Sequence, residues 1–191
     1  MPEVGSIGAT ALYALNAWKT DAIAAATKAA MIEGAAKGTA AGIDAGKKVV
    51  FEGLEKLGVS ILDNQSLETF FTTISYNDVS NITQAVHTNF MNTCSLGNTS
   101  VDFNKPLCTL FFGNELLSEK QISSRDTIKV AVQNMVSNAN TAATQASKTT
   151  SERVTAAITN QKTSEIAATY MGYQTFFIFF IFFFFNINTY I

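Results

Sequence analysis

Residues 22–46 read AIAAATKAAMIEGAAKGTAAGIDAG. Taken in steps of four, Ala22, Ala26, Ala30, Gly34, Gly38, Gly42 and Gly46 form an unbroken series of Ala or Gly. Residues four apart share a helix face, so the series is one ridge without bulky side chains. Such a ridge lets a second backbone approach closely. Gly in a helix interior is less favourable than Ala by roughly 0.8–1 kcal/mol, so four of them disfavour an isolated helix by about 3–4 kcal/mol. Close packing against a partner offsets that cost. Residues Ala26 to Gly46 are therefore expected to be a helix-packing ridge. Lys28, Glu33, Lys37 and Asp44 interrupt it, and a charge at the centre of a membrane helix costs about 2.5–3.5 kcal/mol. One side of this helix is expected to face water.

The two prolines, Pro2 and Pro106, leave the interior free for long helices. Few windows alternate with period two, so the expected fold class is all-α. The net charge of −2 gives no electrostatic case for nucleic acid. Charged residues make up 15% of the chain, below the usual quarter of a soluble domain. The N-terminus lacks the basic and apolar regions of a signal peptide.

Working outward from the ridge, Ala14, Trp18 and Ala22 sit four apart and place Trp18 in the same bundle. On the other side, Val50, Leu54, Leu57 and Ile61 follow helical spacing, and the small residues give way to large aliphatics. Asp63 to Ser66 is a polar break. Leu67, Phe70, Phe71 and Ile74 make a second apolar stripe. Asp78 is a good N-cap for a helix with Ile82, Val86 and Phe90 on one face. Between 95 and 118, Gly97-Asn98, Pro106 and Gly113-Asn114 are turn chemistry, and an irregular loop is expected near 95–120. Helical spacing returns with Ile128, Val132, Met135, Ala139, Ala142 and Ala146. Residues 141–169 are Thr/Ala-rich and fit either a polar-faced helix or a flexible stalk.

No charged side chain follows Glu165. Eight phenylalanines lie between Phe176 and Phe185. A membrane-spanning helix needs about 20 apolar residues; the uninterrupted run is only ten, and the 22 residues from Tyr170 to Ile191 are interrupted by Gln174, Asn186 and Asn188. We read 170–191 as a truncated membrane anchor. A buried hydrophobic tail is the alternative, disfavoured because the run has no polar face. The expected division is 1–60, the Ala/Gly-rich helical region; 61–140, a helical head; 141–169, the stalk; and 170–191, the anchor.

The sequence shows no catalytic, cofactor-binding or metal site. His87, Cys94 and Cys108 supply at most three zinc ligands, in a spacing that matches no finger or ribbon. GAAKGTAAG lacks both the dinucleotide fingerprint and the Gly-Lys-Ser/Thr ending of a phosphate loop. Cys94 and Cys108 would close a loop of 15 residues if oxidised; in the cytosol they would remain free thiols. Asn64-Gln65-Ser66, Asn81-Ile82-Thr83 and Asn98-Thr99-Ser100 match the N-glycosylation pattern, which counts only in a secreted chain.

PEVGSIGATALYALNAWK followed by AATKAAMIEGAAKGTAAGIDAGKKVVFEGLEKLGV, over Pro2 to Val59, closely resembles the semi-conserved region of the rifins. These are variant surface antigens of malaria parasites within a larger interspersed-repeat superfamily. Downstream the likeness is one of architecture: a variable Asn/Thr-rich segment with cysteines, a Thr/Ala-rich stretch, then a hydrophobic segment. The stevors are the nearest alternative, and the Ala/Gly run favours the rifins.

The resemblance implies a non-enzymatic protein without cofactors, held in the membrane by its C-terminal segment and displayed on the infected red cell. It further implies antigenic variation, rosetting adhesion and binding of host immunoglobulin-superfamily inhibitory receptors or red-cell surface molecules. Phe103, Phe111 and Phe112 are the candidate binding anchors, since aromatic side chains dominate such interfaces. The chain departs from the family pattern. Its arginines, Arg125 and Arg153, do not form the Arg-x-Leu export motif, and the Phe-rich run stands where an aliphatic span and basic tail are expected. These departures read as those of a fragment. The alternative function is a helical membrane-associated structural protein that uses the small-residue ridge for helix–helix contact.

Overall fold

The ridge lies within a single long helix, α1, Glu3–Lys56. A two-stranded hairpin follows, β1 Ile61–Leu62 and β2 Gln65–Ser66, and then the short α2, Leu67–Thr73. Next come α3, Val79–Cys94, one helical turn at 106–109 (α4), and α5, Ser124–Thr189. This computed structural model describes residues 3–94, 105–109 and 123–189, with side chains omitted at 3–9, 184, 185 and 187–189. Among the described residues the fold is all-α apart from the hairpin. Residues 141–169 are helical throughout as part of α5, the first of the two forms that their composition allows.

Two compact units divide the chain. One comprises residues 38–148; the other comprises 1–37 with 149–191. Both long helices contribute to both units.

In the 38–148 unit the core is apolar, with Thr83 the buried polar residue among those described. Val50, Leu54, Leu62, Ile82 and Val86 have no exposed surface. Phe71 packs against Phe51 and Phe70, with ring centroids 5.2 and 5.1 Å apart. From α5, Ile128, Val132, Val136, Ala139 and Ala143 are buried. Met135 and Ala142, which the sequence spacing favours, are half-buried one position to the side.

Helix α1 ends where Gly58 takes φ +76°. The Gly58 amide donates to the Glu55 carbonyl at 2.8 Å and the Val59 amide to the Leu54 carbonyl at 2.9 Å. This is a Schellman closure, whose left-handed residue favours glycine. Ile61 therefore leaves the helical stripe expected for it, sits in β1, and is exposed. Asp63 and Asn64 both have positive φ, 47° and 62°, and connect Leu62 to its partner Gln65. Two consecutive left-handed residues make the turn that matches strand twist, and Asp and Asn tolerate it. The polar break is thus a hairpin turn. Ser66 then caps α2, accepting from the Thr69 amide.

Asp78 caps α3 as its position suggests. Its carboxylate accepts from the Asn81 backbone amide at 3.1 Å and the Asn81 side-chain amide at 2.6 Å. The backbone bond first, and then the side-chain bond, hold the Asp78 pKa below its ordinary 3.8. A depressed native pKa gives stability that is present above the unfolded value and lost as pH falls through the native one. Asp78→Ala is expected to lower the thermal midpoint at pH 7 and to remove part of the decline below about pH 4. Thermal melts at pH 7 and pH 2.5 check both effects.

Candidate functional site: a disulfide-tied helical unit

The ridge residues sit at helix contacts. Ala30, Gly34, Gly38, Gly42 and Gly46 are buried, and Ala26 is half-buried. Lys28, Glu33, Lys37 and Asp44 between them are exposed. In the 38–148 unit, a Cβ added to Gly42 would lie 2.9 Å from the Ala143 carbonyl oxygen and 3.1 Å from the Ser147 Cβ. One added to Gly46 would lie 2.5 Å from the Tyr76 ring. The glycines are therefore used for close approach of α5 and Tyr76 to α1.

This close approach makes a contrast between two glycines testable. Gly42→Ala would push against α5 backbone, which cannot step aside, so overpacking costs about 1–3 kcal/mol and outweighs the helix-propensity gain. Gly53→Ala would meet the flexible end of Met135, so it is expected to be neutral or stabilising by up to about 1 kcal/mol. Urea denaturation of the two variants side by side checks the difference.

The distal part of the unit is tied by the hairpin, α3 and the cysteines. The Asn89 side-chain amide donates to the Ile61 carbonyl at 3.0 Å, fixing the hairpin to α3. Arg125 donates to the Gln84 side-chain oxygen at 2.9 Å, linking α5 to α3. His87 lies 3.5 Å from the Ser124 hydroxyl and is not part of a metal cluster: among the described residues, no three His, Cys, Asp or Glu side chains could hold an ion together.

Cys94, at the end of α3, and Cys108, in α4, form a disulfide with Cα atoms 5.5 Å apart. Both are buried, as is Leu107. Gly58 lies close to the Pro106 ring, since an added Cβ would be 3.4 Å from its Cδ. The cysteine-bearing turn is thereby seated at the C-terminal end of α1. Phe103, Phe111 and Phe112, the candidate anchors, lie outside the described residues. At the Asn81 sequon, Asn81 is exposed and bonded to Asp78, and Thr83 is buried in the core. Asn64 is exposed in the hairpin turn.

A shallow groove of about 520 Å³ is lined by Asp44, Lys47, Lys48, Phe51, Glu52, Glu55 and Glu68. Its charges are of both signs and its floor is the half-buried Phe51. Such a surface suits macromolecular contact better than enclosure of a small molecule.

The other unit pairs α1 with α5 in antiparallel sense. The Thr155 hydroxyl donates to the Ala30 carbonyl at 3.4 Å, and a Cβ on Gly34 would meet Thr155 and the Ser151 carbonyl. The Tyr170 hydroxyl donates to the Asn16 side-chain oxygen at 2.7 Å. Trp18 meets Tyr173 edge-on at 6.4 Å, and the Lys19 ammonium sits 4.4 Å from the Tyr170 ring centre. Trp18 is 41% exposed and packs in the bundle at the edge of the helix pair, against Tyr173. The buried side of α1 there runs instead through Ala11, Leu15 and Lys19. Toward its C-terminus α5 is long and apolar enough to cross a membrane, and that stretch is unburied.

The rifin family model matches residues 1–184. The chain belongs to the rifin family. Rifins are variant surface antigens, a family not known for enzymes. No protein with curated annotation matches the chain. In this rifin the 38–148 unit carries the disulfide, and the apolar end of α5 is long enough to span a membrane.

Proposed function

We propose that this rifin is displayed on the infected red cell, anchored by the C-terminal part of α5, and that its 38–148 unit mediates antigenic variation, rosetting adhesion and binding of host inhibitory receptors of the immunoglobulin superfamily. The observation that supports display outside the cytosol is the Cys94–Cys108 disulfide. Such bonds persist in oxidising compartments and at cell surfaces. The bond joins the end of α3 to α4 within the buried apolar core. No buried nucleophile or acid–base pair is required, because recognition rests on shape and a few anchors.

Binding is tested by presenting the full chain in lipid nanodiscs to a panel of immunoglobulin-superfamily receptor ectodomains. Saturable binding that weakens on reduction is expected. Absence of binding across the panel would remove the receptor-binding role and leave antigenic display.

A further inference from the structure

Helix α1 has two distinct faces in the unit that it forms with α5. Ala30 and Gly34 lie against α5, at the Thr155 side chain and the Ser151 carbonyl. A second series, Trp18, Ala22, Ala25, Ala29, Ile32 and Ala36, advances by four and three residues in turn. At 3.6 residues per turn it lies roughly 140° round the helix from the first. It carries no charge, and α5 leaves it open. Ala25, Ala29 and Ala36 are exposed, Ile32 is 65% exposed and Trp18 41%. Alternate steps of four and three are the heptad spacing by which one helix docks along another. The alanines let two such helices approach closely, and Trp18 and Ile32 supply apolar area.

The charges beside this seam complement a copy of themselves. Lys28 and Glu33 flank it on opposite sides, five residues apart. Both are exposed, and among the described residues the one ion pair is Lys162–Glu165. When two copies of such a helix run parallel, a residue at the first flanking position faces the residue five further on in the other chain. Lys28 of each copy then meets Glu33 of the other, once on each side of the seam. An antiparallel pair on the same seam sets Lys28 against Lys28 of the other copy. Lys19, the cation that would then answer Glu33, sits 4.4 Å from the Tyr170 ring centre. The charges therefore select the parallel sense.

We infer that residues 18–36 of α1 dock on the same residues of a second copy of this chain, parallel and in register, with Lys28 of each copy against Glu33 of the other. Two chains anchored by α5 in one membrane also run parallel, an agreement that rests on the proposed function; the charge register stands without it.

The full chain is purified in detergent micelles, so that association is read whether or not α5 spans a bilayer. Single cysteines are introduced by Ile32→Cys, in the seam, and by Met31→Cys, at a site that is 57% exposed but outside it. Copper-catalysed oxidation is expected to give a covalent dimer from Ile32→Cys and little from Met31→Cys. Equal cross-linking of the two, or none from Ile32→Cys, overturns the proposal. Mixed chains carrying Ala22→Cys and Ile32→Cys cross-link to each other only in an antiparallel pair, and that product in place of the Ile32→Cys dimer also overturns it. Analytical ultracentrifugation then reads the charges. Lys28→Glu is expected to weaken the dimer roughly tenfold, since two exposed pairs become repulsive together, and Lys28→Glu/Glu33→Lys to restore it. A dimer equally tight in the wild type and both variants means that Lys28 does not face Glu33, and the proposal falls.

Discussion

Phe71→Ala is expected to destabilise the 38–148 unit by about 3–5 kcal/mol. The side chain is 2% exposed and fills the space between Phe51 of α1 and Phe70 of its own helix. Its loss removes transfer free energy and leaves a cavity that the surrounding helices collapse into only partly. The effect is enlarged by what Phe71 holds. Helix α2 has seven residues, too few to persist in water by itself, and it docks through Leu67, Phe70 and Phe71. The hairpin before it is equally short and depends on the same core through Leu62. Hydrogen exchange should therefore show protection lost first at residues 61–74. Urea denaturation followed by circular dichroism gives the global loss. A change below about 1 kcal/mol would mean that α2 does not seat the hairpin.

Removing the disulfide is expected to cost about 3 kcal/mol, within a usual range of 2–5 for small secreted domains. The figure follows from the loop of 15 residues between Cys94 and Cys108, whose closure restricts the unfolded chain. Alanine is the replacement of choice at both positions. The sites are 1% and 0% exposed, and serine would bury two hydroxyls. Reductant should shift the urea midpoint of the wild type and leave that of Cys94→Ala/Cys108→Ala unchanged. The larger consequence is local. Without the bond, α4 is one helical turn held near the end of α1 by Pro106 and Leu107. Conformation-dependent antibody recognition of the unit should be lost with the bond.

The helical elements were legible because their spacing is regular. The four-residue series of Ala and Gly marks the buried side of α1 from Ala30 to Gly46, and Ile82, Val86 and Phe90 do the same for α3. Asp78 was readable as a cap because its carboxylate precedes a clear apolar stripe. The failures have physical reasons. Ile61 continues the helical period of α1, but Gly58 adopts a left-handed conformation that ends the helix first. Periodicity carries no information about that backbone choice. Asp63 and Asn64 read as a polar break, since a two-residue hairpin with two-residue strands has no alternation to detect.

Trp18 is placed in the same bundle by its spacing of four from Ala14 and Ala22, and it does pack against α5. Its partner, Tyr173, is 155 positions away, and nothing local indicates an edge-on contact across two helices. The site was less legible than the fold. Spacing left Cys94 and Cys108 open between a bond and two thiols, and only the seating of α4 against the core brings them together. Tyr76, which closes over Gly46, gave no signal at all.

The proposed function places the disulfide-tied unit of this rifin outside the infected red cell, held by a membrane-inserted α5. It is tested most directly by antibodies that recognise oxidised but not reduced 38–148, applied to intact and to permeabilised infected cells. Labelling of intact cells that surface trypsin abolishes is expected. Labelling that appears only after permeabilisation, and that survives trypsin treatment of the intact cell, would contradict it.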